Sequence, residues 1–295
     1  MKILLLILAT AIWGAGFMGT RWTLDFYTPL WSNSLRFILA GIIISPFMIF
    51  YRKEIKWKKS FALAILLFLG LILQTYGIKY TTLAKSGFIT TFYALFTPMI
   101  LALYLKKKFT NIYWGLVALA LFGMALLCEL KWSGFNLGDA YTLASALFFS
   151  LHIIAVEALA KDEPPVLING VQCFIMGVIG LVYGVLMEGL PSVTPLIPGH
   201  EDYNQLILIG FVILSVFSSL VAFSIQMLAQ KEIPSHVVSL IFLMESIFAS
   251  ILGYLAFNET LSLTALTGAF FVLVSVALIK PLMDHNDLKV SKSNS

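Results

Sequence analysis

Charge is what this 295-residue chain has least of. Charged residues make up 12% of it, where an ordinary soluble domain carries about a quarter, and hydrophobic residues make up 60%, with a mean hydropathy of +0.94. A water-soluble domain is excluded. There are two cysteines, Cys128 and Cys173, both in apolar runs, which excludes a disulfide framework or a thiolate metal site and leaves them as small packing residues. Catalytic signatures are also missing. The chain has no HExxH, no Walker loop and no nucleophile elbow, and Asn136 to Asp139, NLGD, fails the Gly-x-Gly-Asp pattern of intramembrane aspartyl proteases. No enzyme, metal or cofactor is therefore expected.

What the chain has is long apolar runs. Stretches of roughly 18 or more apolar residues are transmembrane helix candidates. Ten are present, at about 3–22, 31–50, 61–78, 86–105, 111–128, 138–159, 166–187, 206–229, 236–257 and 263–280. They leave no room for a separate soluble domain. The first follows Lys2 as a signal peptide would, yet it continues past Trp13 to Trp22 without an A-x-A site, which predicts a retained helix.

The net charge of +4 does not point to nucleic acid, because its distribution follows the membrane. With the N-terminus in the cytoplasm, the inside loops hold Lys2, Arg52, Lys53, Lys56, Lys58, Lys59, Lys106, Lys107, Lys108, Lys161, Lys231, Lys280, Lys289 and Lys292. The outside ends hold Arg21, Lys79, Lys85 and Lys131. Fourteen against four is the positive-inside asymmetry, and it predicts a multi-pass protein of the inner (plasma) membrane with both termini cytoplasmic.

The second half of the chain restates the first. LATAIWG at Leu8 to Gly14 resembles LASALFF at Leu143 to Phe149, and Pro29 before the second run matches Pro164 before the seventh. The similarities predict two five-helix repeats, 1–130 and 137–281, followed by a disordered cytoplasmic tail, 282–295. Because five is odd, the second copy is inverted, a plan that places a transport site near the midplane between the halves. Glycines at Gly14, Gly16 and Gly19 and at Gly177, Gly180 and Gly184, with Ser239, Ser246, Ser250 and Gly253, mark close helix approaches and leave a homodimer open. The linker from Glu188 to Gln205 reads as a solvated connector or a lid.

The polar residues inside the apolar runs are the candidates for chemistry. The most distinctive stretch, Gln226 to Glu259, carries a glutamine, a short lysine-bearing link broken at Pro234, and then Glu245 in a second segment. A looser version, Gln74 to Lys108, has the same outline. A bare charge at midmembrane costs on the order of 2.5–3.5 kcal/mol even on the lenient insertion scale. Glu245 is therefore either a proton-coupling or substrate-orienting carboxylate, or a structural carboxyl bonded to nearby backbone. Arg36 cannot shed its charge and needs a carboxylate, carbonyls or water, as a structural or gating partner or as a ligand contact. Lys85 reads as a snorkelling lysine. In the fourth run, Gly87, Thr90, Thr91, Ala94, Thr97 and Pro98 form a small and polar stripe flanked by Tyr93, and Pro98 predicts a kink beside a wet pocket. Gln74 and Gln226 would face a central cavity from the two repeats, with Trp13, Tyr76, Phe88 and His152 as walls. His152 and Glu157 do not share a helix face and form no dyad.

With Trp13, Gly14 and Phe17, Arg36 and Phe37, the run Gly77 to Thr97, and Leu243 to Glu259, the sequence resembles the ten-helix EamA-like branch of the drug/metabolite transporter superfamily. The resemblance implies an all-α membrane protein of ten transmembrane helices, arranged as two inverted five-helix repeats around a cavity. It implies a permease that moves a small organic metabolite, such as an amino acid or related solute, without ATP. A proton is the candidate coupling ion. Glu245, Gln74, Tyr93, His152, Gln226, Trp13 and Arg36 are the expected path or coupling residues. Two departures stand out: Ser246 follows Glu245 where the family often has proline, and Lys106, Lys107 and Lys108 replace an acidic end to helix 4. The alternative is a non-transporting membrane scaffold or sensor with a sealed interior.

Overall fold

In lipid every backbone N–H and C=O has to be satisfied within the chain, so an apolar sequence of this kind can only fold as helices or a closed barrel. The computed structural model of the protein describes residues 1–129, 134–257 and 261–293, and among these no strand occurs. The helical segments are α1 (Lys2–Leu24), α2 (Pro29–Phe50), α3 (Trp57–Tyr80), α4 (Leu83–Thr90 with Tyr93–Tyr104) and α5 (Asn111–Leu127). The remainder are α6 (Leu137–Leu159), α7 (Pro165–Glu188), α8 (Gln205–Val212, Ile213–Ala222 and Phe223–Ala229), α9 (Ser235–Phe242 with Met244–Phe257) and α10 (Leu263–Ser293). Among the described residues, eight helices are long and apolar enough to cross a membrane, while α5 and the apolar part of α10, Leu263–Ile279, are shorter. At 1.5 Å per residue α1 reaches about 35 Å and α5 about 26 Å, against a hydrocarbon core of roughly 30 Å.

Short polar links start the helices. Thr28, Thr82 and Thr110 each accept a hydrogen bond from the backbone N–H three residues on, at 3.2 Å. Asn136 and Asp139 form a reciprocal capping box at the start of α6. These caps satisfy donors that a helix cannot satisfy itself. Beyond Ile279 the backbone of α10 continues as helix to Ser293, through the polar stretch for which the sequence predicts a disordered tail. Lys131, Asn258 and Glu259 lie outside the described residues.

The bundle closes through a few intimate pairs. α2 packs along α7, α5 along α10, and α3 along α6, while α1 lies against α8 and α9. Glycine sets the α2–α7 distance. A Cβ at Gly177 would lie 2.8 Å from the carbonyl oxygen of Phe37, one at Gly180 would meet Ser34, and one at Gly184 the Trp31 ring. On α1, a Cβ at Gly14 would reach 2.9 Å from the backbone nitrogen of Ala249 in α9. Small residues make such contacts possible where lipid supplies little hydrophobic drive for association. Replacing Gly177 by leucine should destabilise the protein by about 2–3 kcal/mol, because the obstacle is backbone. The unfolding temperature in detergent checks this, and leucine at the uncrowded Gly115 should leave that temperature unchanged.

Three helices depart from regular geometry. In α4, where the sequence predicts a kink at Pro98, the helix is interrupted at Thr91 and Phe92, and Pro98 sits inside the second part. The backbone nitrogens of Thr91, Phe92, Ala94 and Leu95 each bond three residues back, so the helix tightens for a turn without needing a proline. α9 does the same at Leu243, where Leu243 N–H bonds Leu240 and Ser246 N–H bonds Leu243. The missing proline after Glu245 therefore does not leave α9 unbroken. From Ile213 to Ala222, α8 widens into a π-helical stretch.

Candidate functional site

A cavity of about 130 Å³ lies at the centre of the bundle, walled by α1, α2, α3, α4, α6, α8 and α9. A water needs on the order of 10–15 Å³ of such space, so there is room for several waters or a small organic molecule. Trp13, Arg36, Gln74, Tyr93, His152, Gln226 and Glu245 all line it. Their helices are far apart in sequence, and each position is a polar or amphipathic group in an apolar run. Tyr76 and Phe88 are not among the lining residues; Tyr76 faces Tyr141 at 6.4 Å between centroids, and Phe88 packs edge-on to Phe92 at 5.5 Å.

The π-helical stretch of α8 organises one wall. Widening the turn leaves carbonyls without their usual partners, and side chains from other helices take them. Trp13 Nε1 donates to the Ser218 carbonyl at 3.2 Å, and Asn169 Nδ2 donates to the carbonyls of Ser219 and Leu220 at 3.0 Å. The hydroxyls of the same serines accept from Arg36, Ser219 Oγ from Nε at 3.1 Å and Ser218 Oγ from Nη2 at 3.0 Å. Arg36 is thus anchored by α8 at one edge of its guanidinium. Nη1 makes no hydrogen bond to the described residues.

Glu245 stands opposite in character. It lines the cavity from the first turn after the α9 break, and among the described residues its carboxylate makes no hydrogen bond to protein. The reading of Glu245 as a structural carboxyl bonded to backbone finds no such bond here. Of the cationic residues, Arg36 shares the cavity with it. The ring of Trp13 lies 4.9 Å from both Phe223 and Phe242, and Tyr93 lies 6.5 Å from Phe242. An aromatic box therefore adjoins a carboxylate and a guanidinium, an arrangement that can hold a small solute with both apolar and charged parts. Gln74 donates to Thr90 Oγ1 at 3.3 Å, tying α3 to the α4 break.

Lys85 requires a correction. It does not snorkel to an interface: it is 3% exposed and its ammonium bonds Asp139 Oδ2 at 2.5 Å and the carbonyl of Gly134. Asp139 is fully buried and also accepts from Thr81 Oγ1 and the Asn136 N–H, each at 2.8 Å. The pair joins the starts of α4 and α6, on the rim rather than in the cavity. Ser218, Ser219, Asn169 and Gln172 escaped the sequence reading. The signal was available in part, since Arg36 in an apolar helix demands partners and Ser215, Ser218 and Ser219 share one face of α8.

Fold and site define a polytopic membrane protein with a solute-sized polar cavity inside a helical bundle. The EamA-like transporter family model matches the chain twice, over residues 1–128 and 136–280. The chain belongs to the EamA-like transporter family, and it is a multi-pass membrane transporter. An uncharacterized transporter of Archaeoglobus fulgidus is 29% identical over 274 residues, covering 93% of this chain and 84% of that protein. A chloroplastic WAT1-related protein of Arabidopsis thaliana is 25% identical, covering 90% and 66%. An S-adenosylmethionine/S-adenosylhomocysteine transporter of Chlamydia muridarum is 21% identical, covering 95% and 91%. A solved crystal structure superposes with a TM-score of 0.77 at 16% identity, covering 95% and 96%; it shares the fold. Family and relatives place a small-molecule substrate in a membrane setting.

Proposed function

We propose that the protein is a secondary transporter of the inner membrane that moves a small organic metabolite, an amino acid or related solute, by alternating access. In this reading both termini are cytoplasmic, ten helices cross the bilayer as two inverted repeats, 1–130 and 137–281, and Glu245 couples movement to protons. The observation that carries it is the gathering of Trp13, Arg36, Gln74, Tyr93, His152, Gln226 and Glu245 around one cavity.

The packing supports the repeat. Advancing each helix number by five preserves the most extensive contacts: α3–α6 becomes α8–α1, α4–α6 becomes α9–α1, and the pairs α2–α7, α5–α10 and α4–α9 map onto themselves. One offset of 152 residues carries Gln74 to Gln226, the α4 N-cap Thr82 to the α9 N-cap Pro234, and Tyr93 to Glu245. Inversion follows from the odd number of crossings. A homodimer is not required by this scheme, because the glycines of α1 and α7 are consumed inside the bundle.

The two ends of the cavity differ. A smaller cavity, about 30 Å³, shares Arg36 and Gln74 with the first and extends to Ser32, Asn33, Thr75 and Ile78, at the end assigned to the outside. At the cytoplasmic end, Tyr113 donates to the His236 carbonyl at 3.0 Å and the Ser235 N–H donates to Glu157 at 2.6 Å, closing α5 and α6 onto the start of α9. The scheme requires this closure to open in turn. In a background with Cys128 and Cys173 replaced by alanine, a cysteine at Thr90 should react with membrane-impermeant thiol reagents from either side of the bilayer. Reaction from neither side would favour the sealed scaffold or sensor.

A further inference from the structure

Two buried hydrogen-bond chains end at the cavity, and each has its direction set by backbone carbonyls. In the first, Gln230 Nε2 donates to the Ile153 carbonyl at 2.9 Å, and since a carbonyl cannot donate, the Gln230 amide has one orientation. Its Oε1 must then accept, and it does so from Gln226 Nε2 at 2.7 Å. Gln226 Oε1 is left buried without a protein partner, on a residue that lines the cavity. Flipping the Gln226 amide would not help, because it would set two acceptors against each other.

In the second chain, Asn169 Nδ2 donates to the carbonyls of Ser219 and Leu220, so its Oδ1 accepts from Gln172 Nε2 at 3.3 Å. Gln172 Oε1 in turn faces His152 Nε2 at 3.0 Å. The imidazole must supply the proton there, which makes its neutral form the Nε2–H tautomer and leaves Nδ1 as a lone-pair acceptor. No described residue donates to that nitrogen, and His152 also lines the cavity. The amide carbonyls and carboxamides of both chains are essentially excluded from solvent. A buried acceptor left unpaired is costly; Gln226 Oε1 is one, and together with the lone pair of His152 Nδ1 and the unbonded carboxylate of Glu245 around the same cavity it calls for N–H donors from a ligand.

We infer that the wall formed by Gln226 and His152 is an acceptor-only subsite that selects solutes presenting an uncapped N–H₂ group, a primary carboxamide or amine, over otherwise equal solutes whose nitrogen is alkylated. The assignment rests on reading the cavity as the solute site. Arg36 and the aromatic box of Trp13, Phe223 and Phe242 take the remainder of the molecule.

The test uses the purified full chain, tritiated benzamide as the probe and N,N-dimethylbenzamide, in which two methyl groups replace the N–H donors, as the competitor. The expected result is saturable benzamide binding against which the dimethyl compound competes about tenfold or more weakly than unlabelled benzamide. Gln226→Leu should erase that difference while still binding benzamide saturably through the aromatic box, which shows that the variant is folded. Independently, long-range nitrogen–proton correlation spectra of histidine-labelled protein, with the His152 signal identified through His152→Asn, should show the Nε2–H tautomer. Equal competition by the two amides, no benzamide binding, an undiminished difference in Gln226→Leu, or an Nδ1–H or charged His152 ring would overturn the inference. Transport is measured separately: equal competition with flux intact would sink this subsite alone, and a preserved preference without flux would sink the transport reading alone.

Discussion

Replacing Asp139 by leucine, with Lys85 left in place, is expected to cost about 3–5 kcal/mol of stability, the largest single effect in the molecule outside its core. The physical reason is the environment of the pair. Both side chains are shut off from solvent, and the carboxylate gathers the Lys85 ammonium, the Thr81 hydroxyl and the Asn136 backbone N–H. Without it the ammonium keeps the Gly134 carbonyl but loses its counter-charge in a place that water cannot reach. Removing both charges together, as Lys85→Met with Asp139→Leu, should recover a large part of the loss, since a buried ion pair and a well-packed apolar pair can be similar in stability. The comparison is a double-mutant cycle on unfolding temperature in detergent. Additive losses, or a single substitution costing under about 1 kcal/mol, would show that the pair is not buried as described.

Replacing Glu245 by glutamine should reduce proton-driven flux by about tenfold or more, the size of an ordinary coupling between two sites, and should remove its dependence on pH. Exchange of solute down its own gradient should persist. Glutamine keeps the size and the acceptor oxygen but cannot gain or lose a proton, and Glu245 is the acidic residue that lines the cavity. The absence of any protein hydrogen bond to its carboxylate among the described residues gives the group freedom to exchange a proton or to meet a solute. Gradient-driven flux that survives in the glutamine variant would place coupling elsewhere, and loss of gradient-free exchange as well would make Glu245 a solute contact.

Membrane residence makes some of this legible in a sequence and hides the rest. The apolar runs are readable because lipid forbids exposed backbone, so run and helix coincide to within a few residues except in α10, whose helix continues past the apolar stretch. Polar residues inside those runs are readable for the same reason: Arg36, Gln74, His152, Gln226 and Glu245 have nowhere to go but inward, and the structure gathers them in one cavity. What the reading missed depends on geometry between distant segments. Lys85 near a helix start looks like a snorkelling residue until Asp139, on another helix, is brought within 2.5 Å. Pro98 suggested the α4 break by its missing N–H, but the turn at Thr91 is made by three-residue hydrogen bonds that no residue type announces. The π-helical turn of α8 is likewise invisible, since it is set by Trp13, Arg36 and Asn169 reaching in from three other helices.

The most direct test of transport through this cavity is flux into proteoliposomes from a pooled metabolite library, with and without an imposed proton gradient, for the native chain and for Glu245→Gln. Saturable uptake of at least one solute by the native chain, accelerated by the gradient and insensitive to it in the variant, is the predicted result. No uptake or exchange of any pooled solute by folded, correctly inserted protein would contradict it and favour a scaffold or sensor built on the same bundle.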